Sequence, residues 1–103
     1  MNVPRERSDP KSTMDAYEAV FTALAHPVRR RILMTINFEG GSMTAGAIAG
    51  MFEHKWPTTT RHLHVLEAAG LLAEKRNGRN RVYHINRSRL ELLRDWLAWF
   101  SKK

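Results

Sequence analysis

The 103-residue sequence contains no cysteine, which removes disulfides, thiolate metal sites and thiol nucleophiles together. It also lacks any apolar run near the roughly 20 residues that a membrane-spanning helix needs. The opening MNVPRERSDPKS is charged and proline-punctuated, unlike the apolar stretch of a secretory leader. These absences lead to the expectation of a cytoplasmic protein with no membrane role. Residues 1–12 are expected to form a disordered tail ahead of one domain over 13–103, since a chain this short supports a single core. Acidic residues are scarce too: 10 Asp and Glu stand against 17 Lys and Arg. They are scattered singly, so no paired carboxylates suggest acid–base catalysis, and the chain reads as a non-enzyme without a cofactor.

What the sequence has is a net charge of +7, and the field of a basic protein attracts polyanions. Nucleic acid leads the possible partners. An anionic membrane surface would call for one long basic amphipathic helix with an aromatic face, which the basic residues here do not form.

Periodicity divides the chain into five helices and a hairpin. Met14, Tyr17, Val20, Phe21 and Leu24 recur at helical spacing, and His26-Pro27 ends that helix and opens a second. The second buries Val28, Ile32, Leu33 and Ile36 and stops before Gly40-Gly41. Thr44 suits the N-cap of a short third helix with Ala45, Ile48, Ala49 and Phe52 on its inner side. Pro57 opens a fourth, which runs to about Ala69 and is closed by Gly70 in a left-handed cap. Leu71–Arg76 and Arg81–Ile85 bracket Asn77-Gly78-Arg79-Asn80, a hairpin signal, and Ser88–Phe100 makes a closing helix with Leu90, Leu93, Trp96, Leu97 and Phe100 along one stripe. The class is mainly α with a small two-stranded β-hairpin: two short helices and a basic hairpin after them are the winged variant of the helix-turn-helix.

In that architecture the fourth helix enters the major groove. Turned at about 100° per residue, it puts Thr59, His62, Leu63, Leu66 and Ala69 on one side and Thr60, Arg61, His64 and Ala68 on the other. Thr58 and Thr60 can hydrogen-bond phosphates or base edges, and Arg61 can fork onto guanine. Helix capping accounts for the threonine run equally well without DNA. Lys75, Arg76, Arg79 and Arg81 give the hairpin more cations than a solvated turn needs, which suits phosphate or minor-groove contact. Arg29, Arg30 and Arg31 cannot share a helical face and read as a solvated flank.

His26, His54, His62, His64 and His84 are the remaining nitrogen ligands, and their spacing does not converge three or four of them on one metal. No metal site is expected. Trp96, Trp99 and Phe100 carry too much apolar surface for a small monomer's exposed terminus, and Trp96 and Trp99 diverge around the helix. Covering by a second copy, through Tyr17, Phe21, Leu93, Trp96, Trp99 and Phe100, is the expectation, and a two-fold dimer matches a palindromic DNA site.

The segments LAHPVRRRIL, TTTRHLHVLEAAGLL and NGRNRVYHIN resemble the arsenic-repressor (ArsR) family of bacterial winged-helix regulators, over nearly everything from Asp15 to Phe100. The resemblance implies a symmetric dimer built from the first and last helices and repression by operator occupancy. It places Thr58, Thr60 and Arg61 at DNA-contacting positions. Many members sense metals through a Cys-x-Cys-type motif in the third helix, where this chain has Thr44-Ala45-Gly46-Ala47-Ile48-Ala49; others use Asp and His pairs on the last helix, which here holds Asp95 and no histidine. The resemblance thus implies a member lacking these sites, and no motif designates an inducer. The reading is a sequence-specific DNA-binding repressor acting as a homodimer on double-stranded DNA. Two alternatives are a non-specific nucleic-acid coat and a protein-interaction module using the aromatic last helix.

Overall fold

A computed structural model describes residues 10–52 and 56–101. The helices are α1 (Pro10–Leu24), α2 (Pro27–Phe38), α3 (Ala45–Gly50), α4 (Trp56–Ala68) and α5 (Arg87–Trp99), and the strands are β1 (Ser42–Thr44), β2 (Leu72–Asn77) and β3 (Asn80–Ile85). The disordered tail expected over 1–12 lies, through residue 9, outside the described residues. From Pro10 the chain is helical, ahead of the expected start at Met14. An apolar stripe marks only where a helix begins to pack, so a polar first turn escapes it, while proline is tolerated there because its missing N–H has no intrahelical partner.

Helix boundaries follow local chemistry. His26 is the N-cap of α2, its Nδ1 accepting from the Val28 N–H at 3.2 Å. Thr44 caps α3 as expected, Oγ1 accepting from the Ala47 N–H at 3.0 Å. At the end of α4, Gly70 takes φ +82°, and the Gly70 and Leu71 N–H groups donate to the carbonyls of Glu67 and Leu66. This left-handed turn satisfies carbonyls that the helix leaves unpaired and sends the chain into β2.

The sheet has three strands in the order β1-β3-β2, all antiparallel, so the expected two-stranded hairpin gains a short third member. Met43 faces Tyr83 across the β1–β3 pair. In the hairpin Asn77 pairs with Asn80, so the strands run further than expected and leave Gly78-Arg79 as the loop. Gly78 has φ +64° and Arg79 has no positive φ, the pattern of a type II′ turn with glycine first.

The core is drawn from every element but one. Val20 and Ala23 of α1, Ile32 and Ile36 of α2, Met43, Ile48, Phe52, Leu63, Leu66, Leu71, Leu72 and Tyr83 are all buried. Helix α5 contributes no fully buried residue; Leu90 and Leu93 pack against the core from its edge. The sheet and the α2–α3–α4 corner thus form one unit, with α4 held across it and α5 lying outside.

Candidate nucleic-acid interface

Helix α4 is divided lengthwise. Thr59, His62, Leu63, Leu66 and Ala69 are buried, as the helical wheel predicts, and Leu66 is completely so. On the opposite side Arg61 and His64 are exposed and Thr60 is half-buried, and a shallow concavity runs beside them over Pro57, Val65 and Ala68; Thr58 is exposed in the first turn, on the flank nearer the buried stripe. A helix anchored by one face presents the other as a rigid strip, which is what reading a groove requires. Because α4 begins at Trp56, the threonines lie inside it and none is the cap that sequence alone left open. Residues 53–55, including His54, lie outside the described set.

The buried histidine is positioned by a network that sequence reasoning missed. Arg29 Nε donates to the Ala23 carbonyl at 2.7 Å, its Nη2 reaches the Thr22 carbonyl at 3.3 Å, and its Nη1 lies 3.4 Å from His62 Nδ1. Arg30 Nη1 donates to the Leu24 carbonyl at 2.8 Å. The last turn of a helix has carbonyls with no helical partner, and here two guanidiniums from the start of α2 bond those of Ala23 and Leu24, while the Thr22 carbonyl also accepts from the Ala25 N–H. Arg31 sits over the Phe52 ring, 5.9 Å from its centroid. The arginine run expected to be a solvated flank therefore has its first members tying α1, α2 and α4 together. The signal was available in principle: cations a few residues beyond a His-Pro break are within reach of the preceding helix end. The His26 and His62 rings also meet, with centroids 4.4 Å apart, whereas among the described residues no three potential ligands gather around a metal position.

The wing separates into free and engaged cations. Lys75, Arg76 and Arg79 are exposed. Arg81 is different: its Nε donates to Glu74 Oε2 at 2.6 Å and its Nη2 to the Tyr83 hydroxyl at 3.2 Å. The hydrogen bond it donates to Glu74 holds the Arg81 guanidinium above its ordinary pKa. Burial pushes the Tyr83 phenol up, the nearby Arg81 charge opposing that shift in part. Arg81 is therefore a brace between the strands, its charge directed at Glu74 more than at solvent. The hairpin register brings this about: Glu74 is opposite Tyr83, which places it diagonally across from Arg81.

On α1 and α5, Tyr17 and Phe21 stack at 6.2 Å, Phe21 meets Trp96 edge-on at 5.0 Å, and Trp96 meets Phe100 at 4.9 Å. Four of the six residues expected at a dimer interface thus form one aromatic chain across α1 and α5. Leu93 is half-buried beneath it and Trp99 is exposed.

A cationic wing beside a helix-turn-helix with an exposed reading face defines a winged helix-turn-helix domain, and comparison with known proteins agrees. The helix-turn-helix domain family matches residues 24–75. The transcriptional repressor SdpR of Bacillus subtilis (strain 168) is 36% identical over 84 residues, covering 82% of this chain and 91% of that protein. A crystal structure of an ArsR family transcriptional regulator superposes with a TM-score of 0.77 at 29% identity, over 84% of this chain and 92% of the other. The homodimeric winged helix-turn-helix DNA-binding domain of a possible ArsR-family regulator from Mycobacterium bovis gives 0.72 at 25% identity, over 95% and 90%. The chain belongs to the ArsR family of winged helix-turn-helix transcriptional regulators, here without a cysteine.

Proposed function

We propose that the chain binds a specific double-stranded DNA site as a homodimer and represses transcription by occupying it, a cytoplasmic regulator with no catalytic role. Helix α4 enters the major groove with Thr58, Thr60, Arg61 and His64 outward, and Arg61 is the principal base reader because its planar fork matches two acceptors on guanine. Lys75, Arg76 and Arg79 contact phosphates or the adjacent minor groove, while Arg81 keeps the wing straight. The observation that carries this reading is the lengthwise division of α4: one face is locked into the core, and the other presents Thr60, Arg61 and His64 in one strip.

The aromatic chain on α1 and α5, exposed at Trp96 and Phe100, supports the dimer, as does the homodimeric relative. A two-fold axis there would present two α4 helices to a palindromic site with half-sites about one helical turn apart.

The test is a titration of the protein against its own promoter-region DNA and a scrambled duplex at two salt concentrations, with the mass of the free protein measured alongside. A preference of about a hundredfold or more for the promoter supports site-specific regulation. Arg61→Ala should then relax that preference, whereas Arg79→Ala should weaken both duplexes alike and lower the salt slope by about one. Equal binding of both duplexes by the unaltered protein would turn the reading to a non-specific coat, and no binding to either would turn it to a protein partner.

A further inference from the structure

Where α1 ends, a half-enclosed cavity of about 390 Å³ opens between α2, the end of β3 and the first turn of α5. Its walls are Leu24, Leu33, Met34, Ile85 and Leu90, and its polar lining consists of Arg30 and Asn37. The volume falls within the range of small-molecule sites, and so does the composition: apolar walls with a few polar groups converging at one side.

The polar side has one sign. Arg30 uses one N–H on the Leu24 carbonyl, and Arg87 donates to Asn37 Oδ1 at 3.2 Å, which brings a second guanidinium to the rim. Both arginines are exposed and each has further N–H donors, and no carboxylate is among the lining residues. An apolar cavity edged by guanidiniums is complementary to a molecule with an apolar body and an anionic head. A cation of the same shape would meet two like charges, and a neutral molecule would leave the rim without a partner.

We propose that this cavity binds a small organic anion with an aliphatic or aromatic body, such as a medium-chain carboxylate, and that its occupancy changes affinity for DNA. The second half rests on the DNA-binding reading above; the first does not. The placement supports a coupling. The cavity touches α2, which packs on α4, and Ile85, which closes the wing strand and donates its N–H to the Gly41 carbonyl at 3.0 Å. A ligand that spreads α2 from α5 acts on the supports of both DNA-contacting elements, and any preference it has for one arrangement appears as a change in DNA affinity.

The experiment uses the full chain and three probes of equal length, decanoate, decanol and decyltrimethylammonium, titrated calorimetrically below micelle formation at several protein concentrations. Saturable binding of decanoate, at one per chain and well above the other two, is expected. Shortening the acid should weaken it about fourfold per methylene. Arg30→Gln, which removes the charge, and Met34→Glu, which puts an anion at the half-exposed mouth, should each weaken decanoate by about tenfold or more. Thermal melts of both variants verify the fold, and Met34→Glu keeps the test valid if Arg30→Gln loosens α1. Equal binding of the three probes, no binding of decanoate, or binding untouched by both variants would overturn the site. So would decanoate binding that fades as protein concentration drives dimerisation, because the cavity would then be filled by a second copy. Promoter affinity measured with and without decanoate tests the coupling separately: a shift of about tenfold supports it, and an unchanged affinity with decanoate bound overturns it. Failure to bind the promoter without any decanoate would instead count against the DNA reading, leaving the calorimetric result to stand alone.

Discussion

Helices α4 and α5 have the same length, 13 residues, and nearly opposite fates. Each carries an apolar stripe at helical spacing. In α4 the stripe is buried within its own chain, whereas α5 has no fully buried residue and leaves Trp99 and Phe100 about two-thirds or more exposed, at 66% and 72%. The lesson is that an apolar stripe tells which face wants cover and not what supplies it. One helix is positioned by the fold; the other has a face that waits for a second surface.

The sharpest way to break this contrast is to truncate each stripe in turn. Leu66→Ala, at a completely buried site of α4, should cost about 3 kcal/mol and lower the melting temperature by roughly 10–20 °C whatever the protein concentration. Trp96→Ala combined with Phe100→Ala should instead weaken self-association by on the order of a hundredfold, read by sedimentation equilibrium, while a denaturant melt of the dilute protein changes little. If the double variant loses stability as Leu66→Ala does and keeps its oligomeric mass, α5 is part of the core and the contrast is wrong.

A smaller effect lies where the two helices meet. Gly70 ends α4 at φ +82°, and a Cβ built there would stand 2.6 Å from Nε of Arg89 in α5. Gly70→Ala should cost about 1–2 kcal/mol from the left-handed backbone alone. Adding Arg89→Ala separates the causes: recovery of most of the loss in a chemical melt would assign it to the clash, and no recovery to the backbone. The smallest effect concerns a flaw in the buried face of α4. Thr59 Oγ1 is buried with no hydrogen-bond partner among the described residues, so Thr59→Val should be neutral or stabilising within about 0.5 kcal/mol. A loss beyond 1 kcal/mol in that melt would mean the hydroxyl has a partner after all.

What could be read from sequence, and what could not, follows the range of the interaction involved. The buried side of α4 emerged residue by residue from its rotation per residue, and the caps at Thr44 and Gly70 from side-chain chemistry within a few positions. Strand β1 did not emerge, because a three-residue strand shows no alternation and its partner β3 lies far along the chain. Arg81 looked like another free wing cation because its bond to Glu74 exists only in the actual hairpin register. Arg30 and Arg31 are exposed as a solvated flank would be, but the bonds from Arg29 and Arg30 to the end of α1 did not show, because those carbonyls come within reach only when α2 folds back against α1. The candidate site was legible in its outward residues, since those depend on one helix and one turn. Its supports were not, since each joins elements that only the fold brings together.

The Arg29 side chain gives the molecule a mechanical property. It grips two carbonyls at the end of α1 and lies against a ring on the hidden side of α4. A twist of α1 must either strip those bonds or drag α4 with it. The end of α1 and the outward strip of α4 are therefore geared to each other, by direct packing and by this guanidinium, and if two copies pair through α1, a change in how they sit together is felt as a change in the pitch at which α4 is offered.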